Sequence, residues 1–385
     1  MITSEQNARA WRCGLAFLSA MAVAMITSTA TAATWWVDDD NYGNGGTGTE
    51  SNPFGTIQAA LDNPSFTAGD TVNVKAGVYN KGSTINSYGG SGVGNRVVIS
   101  KKVHIKAVDG RENTFIVGAN ATTSPNADGQ GSDAVRCILY CDQSKYSSGG
   151  AIVEGFTICG GRTAEVDNTH GYAAGVFDAG GAGGSRYQMW IVDCTISNCV
   201  AGAGGATRFG SLYRCLVTDC KASRRVSGIH GSHAHSCIIS HCVESVTSTK
   251  YGLAAQAVAV NSTFFANKTC LAPETGSYRL YSYNCIIAGD GNYEFPYSKT
   301  TSTATDGFYQ LFAPAVGDYR PLPGSRAATL GDAANFTQID VIDDVKPLIN
   351  GVRTLVDYAG NPYPSSGTVV SGAIQEIAPA PAGGA

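Results

Sequence analysis

Apolar residues occur along this chain in short runs that are separated by glycine, asparagine and other turn-forming residues. Residues 97–99, 103–105 and 114–117 are examples, and no long stretch has the apolar spacing of an amphipathic helix. Short apolar runs between turn residues are typical of β-strands. The pattern therefore predicts an all-β chain with many short strands.

Three pairs of cysteines near the middle of the chain recur at a constant spacing. The two cysteines of each pair are five positions apart, and the pairs advance by 21 and then 22 positions: Cys194 and Cys199, Cys215 and Cys220, Cys237 and Cys242. A period in the low twenties predicts a solenoid in which each repeat forms one coil. Residues 96–118 contain three short strands, and three strands per coil is the pattern of a parallel β-helix.

The repeats also predict which side chains face the core. Two positions after each first cysteine the residue is apolar, as at Ile196 and Val217. These side chains and the cysteines should point inward, and the cysteines should be buried, reduced thiols. The position before each first cysteine is polar and should point outward, which brings Asp193 and Arg214 together on adjacent coils. His235 aligns with Val192 and Tyr213 and is predicted to be inward.

The N-terminus has the three parts of a secretory signal. Basic residues at positions 9 and 12 precede an apolar stretch at 14–26, and Ala30 and Ala32 provide a cleavage site. The sequence therefore divides into a signal peptide (1–32), an N-terminal segment with a short capping helix (33–70), β-helix coils (71–300), a C-terminal coil or anchor-like region (301–378) and a flexible tail (379–385). Residues 119–149 and 160–186 are predicted to be surface loops.

Charge limits the class of partner. Only 15% of the 385 residues are charged, and the formal net charge is −4. A mildly acidic chain without a long basic run argues against a nucleic-acid or anionic-membrane partner. We expect an exported monomer, secreted or at the cell surface, with no membrane span once the signal is removed.

Longer stretches resemble a known superfamily. The segment VDDDNYGNGGTGTESNPFGTIQAALDN and the CTISNC-type coils are similar to exported bacterial right-handed parallel β-helix proteins of the pectin-lyase-like superfamily. The stretches GSRAATLGD, DYAGNPYP and VSGAIQE resemble, in degenerate form, a choice-of-anchor Q region. The resemblance implies a right-handed parallel β-helix, and it leaves the function open because lyases, hydrolases, epimerases and adhesins share this fold.

The densest group of titratable residues lies at 221–241. Arg224 and Arg225 are candidates for binding a substrate carboxylate, and His230 or His233 is a candidate catalytic base. Less specifically, His230, His233 and His235 together are a candidate metal site. The alternative is that these residues belong to an ordinary coil and its turns. A turn role is predicted for His241, which aligns with Asn198 and Asp219.

An acidic cluster near the N-terminus is a candidate metal site. Asp38, Asp39 and Asp40 offer carboxylate oxygens of the kind that Ca²⁺ prefers, although the spacing is not that of an EF-hand, and a solvated turn is the alternative. No other cofactor is expected.

Two classes of function remain. The first is a non-catalytic protein that binds a polysaccharide or cell-surface glycan. The alternative is a polysaccharide-degrading enzyme, with a lyase favoured over a hydrolase because no cluster of outward carboxylates is expected on neighbouring coils. A groove that gathers arginine, lysine and acidic side chains on one face would favour the enzyme.

Overall fold

The computed structural model describes residues 32–89, 93–142, 150–166, 170–179, 188–244, 253–265, 280–288, 299–301, 311–313, 318–364 and 366–377. Twenty-five short strands form three long sheets that run side by side along the chain. Within each sheet the successive strands pair in parallel, except for one antiparallel pair at an edge. Each coil places one strand in each sheet, which makes the fold a right-handed parallel β-helix, as predicted.

The strands of the three sheets follow in spatial order. Sheet 1 consists of Thr34–Val37, Thr71–Val74, Val103–Ala107, Ala151–Glu154, Met189–Val192, Ser211–Tyr213, His233–His235, Ala257–Val260, Leu280–Tyr283 and Lys299–Thr301. Sheet 2 consists of Gly77–Tyr79, Thr114–Val117, Thr157–Cys159, Thr195–Ser197, Leu216–Thr218, Ile238–Ser240, Thr263–Phe265 and Ile286–Ala288. Sheet 3 consists of Thr84–Ile85, Gly94–Ile99, Val135–Tyr140, Val176–Asp178, Thr207–Arg208, Ile229–His230 and Ala254–Ala255.

Smaller elements complete the described chain. A fourth, three-stranded sheet contains Val200–Ala203, Lys221–Arg225 and Val243–Glu244. Three antiparallel pairs join Leu311–Ala313 to Asp318–Pro321, Gly331–Asp332 to Thr368–Val369, and Leu348–Ile349 to Val352–Arg353. Short 3-10 helices lie at Asp39–Asn41, Ser87–Gly89, Arg326–Ala328, Ala333–Gln338 and Asp343–Val345.

The predicted capping helix is present as a short α-helix, Ile57–Leu61. The Thr56 hydroxyl caps its N-terminus by accepting a hydrogen bond from the Ala59 amide at 3.1 Å. Its apolar face is buried: Ile57, Ala60 and Leu61 join the same core as the first strands of sheet 1. The helix therefore covers apolar residues at the N-terminal end of the coils.

The core of the coils confirms the inward positions that the repeats predict. Ile196, Val217 and Ile239 are Cα partners on consecutive strands of sheet 2 and are fully buried. The paired cysteines lie in the same core, and the ten cysteines that the structure describes are free thiols. Burial raises the pKa of Cys194 well above its usual value, so this thiol stays protonated.

Polar residues at the corners between strands take a left-handed backbone conformation. Asp193, Arg214 and Ser236 precede sheet 2 with φ of 50°, 57° and 55°, and Asn198 and His241 follow it with φ of 49° and 52°. Short polar side chains tolerate this region better than apolar ones. The turn role predicted for His241 is thus confirmed.

Two predictions are wrong: the two surface loops, and the inward direction of the His235 side chain. The stretches predicted as surface loops contain strands Val135–Tyr140 and Val176–Asp178, both of which belong to sheet 3. His235 pairs with Tyr213 and Val260 on the outer side of sheet 1, while its neighbour Ala234 faces the core. His235 is nevertheless fully buried, because the C-terminal region covers it.

The C-terminal region folds back over the outer face of sheet 1. Ile339, Val341, Val345 and Val356 form a second apolar cluster with Trp190, Val192, Tyr213 and Val260. The region therefore packs on the coils. The anchor-like role that its sequence suggests stays a prediction. Among the described residues, no helix is long and apolar enough to span a lipid bilayer.

Candidate functional site

The four residues predicted as a catalytic set do not converge. Arg224 and Arg225 lie in the small fourth sheet, His230 lies in sheet 3, and His233 lies in sheet 1. His230 is buried, and its Nδ1 lies 2.9 Å from Arg208 Nη1. Arg224 is exposed and donates to the Glu165 carbonyl at 2.9 Å. These residues therefore fit the alternative of an ordinary coil.

The acidic cluster at the N-terminus brings its carboxylates together. Ligand oxygens of Asp38, Asp39 and Asp40 lie within 4.8 Å of one another. Asp38 pairs with Lys75 at 3.2 Å, and Asp39 accepts a hydrogen bond from the Val78 amide at 2.8 Å. Ca²⁺ takes six to eight oxygen ligands, whereas the carboxylates of Asp38 and Asp39 already have protein partners. Ca²⁺ binding here stays a prediction.

A groove on the outer face of sheet 1 is lined by charged residues that lie far apart in the sequence. It has a volume of about 600 Å³ and lies where the C-terminal region begins to cover the sheet. Its charged lining is Lys102, His104, Lys106, Glu154, Asp193, Arg214, Asp344, Lys346 and Arg353. Five permanent cations thus face three carboxylates in a chain whose net charge is −4.

The centre of the groove is a histidine held by a carboxylate. His104 and Lys106 alternate with inward residues on one strand, so both point outward, and Glu154 is the Cα partner of Lys106 on the next coil. His104 Nε2 lies 2.6 Å from Glu154 Oε2, and Lys106 Nζ lies 3.7 Å from Glu154 Oε1. The arrangement fixes the imidazole beside a lysine.

The environment keeps Glu154 ionised. Burial alone would raise its pKa, but the hydrogen bond from His104 and the charges of His104 and Lys106 outweigh burial and bring the pKa below its usual value. An ionised carboxylate can only accept, so His104 Nε2 carries the proton that forms this bond. In the neutral imidazole, the other ring nitrogen, Nδ1, is the one that carries a free lone pair.

A second ion pair extends the charged row onto the next coil. Arg214 Nε lies 3.1 Å from Asp193 Oδ1, which confirms the pairing predicted from the repeats. Burial raises the pKa of Asp193. The charges of Arg214 and Arg111 lower this pKa and the charge of Glu154 raises it, and the net shift is upward. Glu154 and Asp193 thus line one groove with pKa values displaced in opposite directions. The expectation that neighbouring coils lack clustered outward carboxylates is wrong.

The C-terminal region supplies the remaining wall. Lys346 pairs with Asp343 at 2.8 Å, and Arg353 donates to the Lys346 carbonyl at 2.8 Å. Lys346 directly follows the 3-10 helix Asp343–Val345, and Arg353 ends the antiparallel pair that comes next. Both side chains line the groove opposite sheet 1. The sequence gives no repeat signal for this region, so its contribution was not predictable from periodicity.

One sequence signal does point to the centre of the groove. The strand Val103–Ala107 alternates apolar residues with His104 and Lys106, and Ala151–Glu154 places Glu154 at a matching outward position. The register between these coils is hidden because Lys106 and its partner Glu154 are 48 positions apart, more than twice the 21- and 22-residue steps of the cysteine coils.

Comparison with known proteins finds distant similarity to solved structures. No protein-family model and no curated protein matches the sequence. Among solved structures, a pectin methylesterase from carrot is 15% identical, with a TM-score of 0.40, over 73% of this chain and 85% of that chain. Pectin methylesterase PemA from Erwinia chrysanthemi is also 15% identical, with a TM-score of 0.41, over 83% and 99%. Pectate lyase Pel9A is 9% identical, with a TM-score of 0.35, over 90% and 96%.

Proposed function

We propose that the protein is a polysaccharide-degrading enzyme that binds an acidic glycan in the groove on sheet 1 and cleaves it by β-elimination. The observation that carries the proposal is the excess of cations around a carboxylate-held histidine in an otherwise acidic protein. A uronate-containing chain has one carboxylate per acidic sugar, which complements Lys106, Arg214 and Lys346. The groove also meets the condition that favours an enzyme over a non-catalytic glycan-binding protein.

The proposed reaction starts from the neutral form of His104, with its ring proton on Nε2 toward Glu154. His104 Nδ1 removes the proton on C5 of a bound uronate, and the electron pair forms a double bond between C4 and C5. The bond between C4 and the glycosidic oxygen breaks, and the leaving oxygen takes a proton from the imidazolium. Glu154 stabilises the transient positive charge on His104, while Lys106 and Arg214 stabilise the negative charge that builds on the uronate carboxylate.

The test is a cleavage assay on a panel of acidic and neutral polysaccharides. The unsaturated product absorbs in the ultraviolet, so its formation is followed directly. His104→Ala should lower the rate by ~10²-fold or more, since a positioned general base contributes that much. His241→Ala is the matched control, because His241 is an exposed corner residue outside the groove. Undiminished cleavage by His104→Ala, or no cleavage of any acidic glycan, would refute the proposal.

A second candidate is hydrolysis, and the opposite pKa displacements of Glu154 and Asp193 favour it. A glycosidase needs one protonated and one ionised carboxyl group across the scissile bond, and a raised pKa suits Asp193 for the acid role. The same assay separates the two reactions. Hydrolysis gives new reducing ends without ultraviolet absorbance and requires Asp193, so Asp193→Asn would abolish it.

A further inference from the structure

The C-terminal region ends the groove on one side. Residues 339–356, called here the closing segment, place Ile339, Val341, Val345 and Val356 on the outer face of sheet 1. The sheet residues beneath them are Trp190, Val192, Tyr213 and Val260. Ligand access to the outer face of sheet 1 therefore stops at the strand Met189–Val192.

Buried polar contacts fix the closing segment in place. The Tyr213 hydroxyl accepts a hydrogen bond from the Val356 amide at 2.8 Å and donates one to the Val356 carbonyl at 3.1 Å. The Ser236 hydroxyl donates to the same carbonyl at 3.2 Å and lies 2.8 Å from the Tyr363 hydroxyl. Breaking these contacts would leave buried polar groups unsatisfied. The closing segment is a wall of the groove.

The charged row of the groove runs toward this wall. Asn73, Lys106, Glu154 and Val192 are Cα partners on four consecutive strands, so their side chains form one outward row across sheet 1. Three strand spacings make this row about 14 Å long. Its last member, Val192, packs under the closing segment. A glycan lying along the charges would meet the wall after a few sugar residues.

We infer that the groove accepts the end of an acidic glycan chain and excludes chain interiors. Lys346 and Arg353 on the closing segment, together with Arg214 at the corner after Ser211–Tyr213, form the closed end and bind the carboxylate of the terminal uronate. The inference rests on the proposed function and deepens it, because it predicts release of short products from chain ends.

A binding comparison tests the inference without requiring catalysis. The probes are a uronate tetrasaccharide with free ends and the same tetrasaccharide with a bulky group on both ends, and the measurement is calorimetry. We expect the free tetrasaccharide to bind at least ~10-fold more tightly, and Lys346→Ala to weaken its binding by ~10-fold. Lys81→Ala is the control, because Lys81 is exposed and lies outside the groove.

The outcomes distinguish the two proposals. Equal binding of the free and blocked probes overturns the chain-end inference and leaves the proposed function standing. Failure of both probes to bind overturns the proposed function and the inference with it. Product sizes from a long polyuronide give a second readout: short products from the first minutes support the inference, whereas a random ladder of long fragments contradicts it.

Discussion

His235 should make the folded protein lose stability as the pH falls below neutral. The imidazole is fully buried between the rings of Tyr213 and Tyr363, with ring centroids 5.8 and 5.9 Å away. Its Nδ1 lies 2.8 Å from the Ser236 hydroxyl. Burial, aided by the nearby charge of Lys346, lowers the pKa of His235 from 6.5 to about 3. The folded protein therefore holds this side chain neutral.

The magnitude follows from linkage. In the unfolded chain His235 gains a proton near pH 6.5, but in the folded protein it does so only near pH 3. Acid therefore favours unfolding across this interval, and the stability from the neutral state is full above pH 6.5 and declines below it. Below pH 6.5 the free energy of unfolding falls by ~1.4 kcal/mol for each pH unit. At pH 5, which is 1.5 units lower, it is about 2 kcal/mol smaller than at pH 7.

The comparison is between the parent protein and His235→Gln, which cannot gain the proton. Denaturant unfolding at pH 7, 6 and 5 gives the free energy of unfolding of each protein. Other titrating groups, including His233 with its lowered pKa of about 4, are present in both proteins and cancel in the difference. We expect the free energy of the variant to fall by about 2 kcal/mol less than that of the parent. Parallel pH profiles would refute the burial argument.

Three further outcomes test the fold and the export of the protein. Val217→Asp places a carboxylate in the apolar core and should cost at least ~3 kcal/mol, whereas Thr218→Asp on the outer side should cost much less; equal melting temperatures would contradict the register. Arg136→Met should cost ~3 kcal/mol in denaturant unfolding, because the buried guanidinium donates to Asn95 Oδ1 at 2.7 Å and to two carbonyls. Exported protein should begin after Ala32 by N-terminal sequencing, and recovery of an intact N-terminus would contradict the predicted signal.

The repeats predicted the features that depend on residues within one or two coils of each other in the sequence. The spacing of Cys194, Cys215 and Cys237 fixes the register, and register decides which residues meet across coils, including Asp193 with Arg214. Polar corner residues were equally readable, because a left-handed backbone selects them locally. These inferences need only the period and the alternation of side chains.

The candidate site depends on contacts that periodicity does not encode. The direction of His235 was mistaken because Val192 and Tyr213, its aligned positions, are apolar for a different reason: the closing segment buries them from outside. The groove was missed because Glu154 and His104 are 50 positions apart, more than twice the repeat period, and because Lys346 comes from the C-terminal region. A repeat pattern says which residues are apolar, and it does not say which partner covers them.

The closing segment also determines when the groove can form during synthesis of the chain. Val356 contacts Tyr213 across 143 positions of sequence, so residues near the end of the chain join coils that leave the ribosome much earlier. Coils can stack one by one as they are made, since each contacts mainly its neighbours. A chain interrupted before residue 339 would lack the closing segment. The groove therefore becomes complete only when synthesis is nearly finished. Premature termination would leave Trp190, Val192, Tyr213 and Val260 uncovered on the outer face of sheet 1, where they favour self-association.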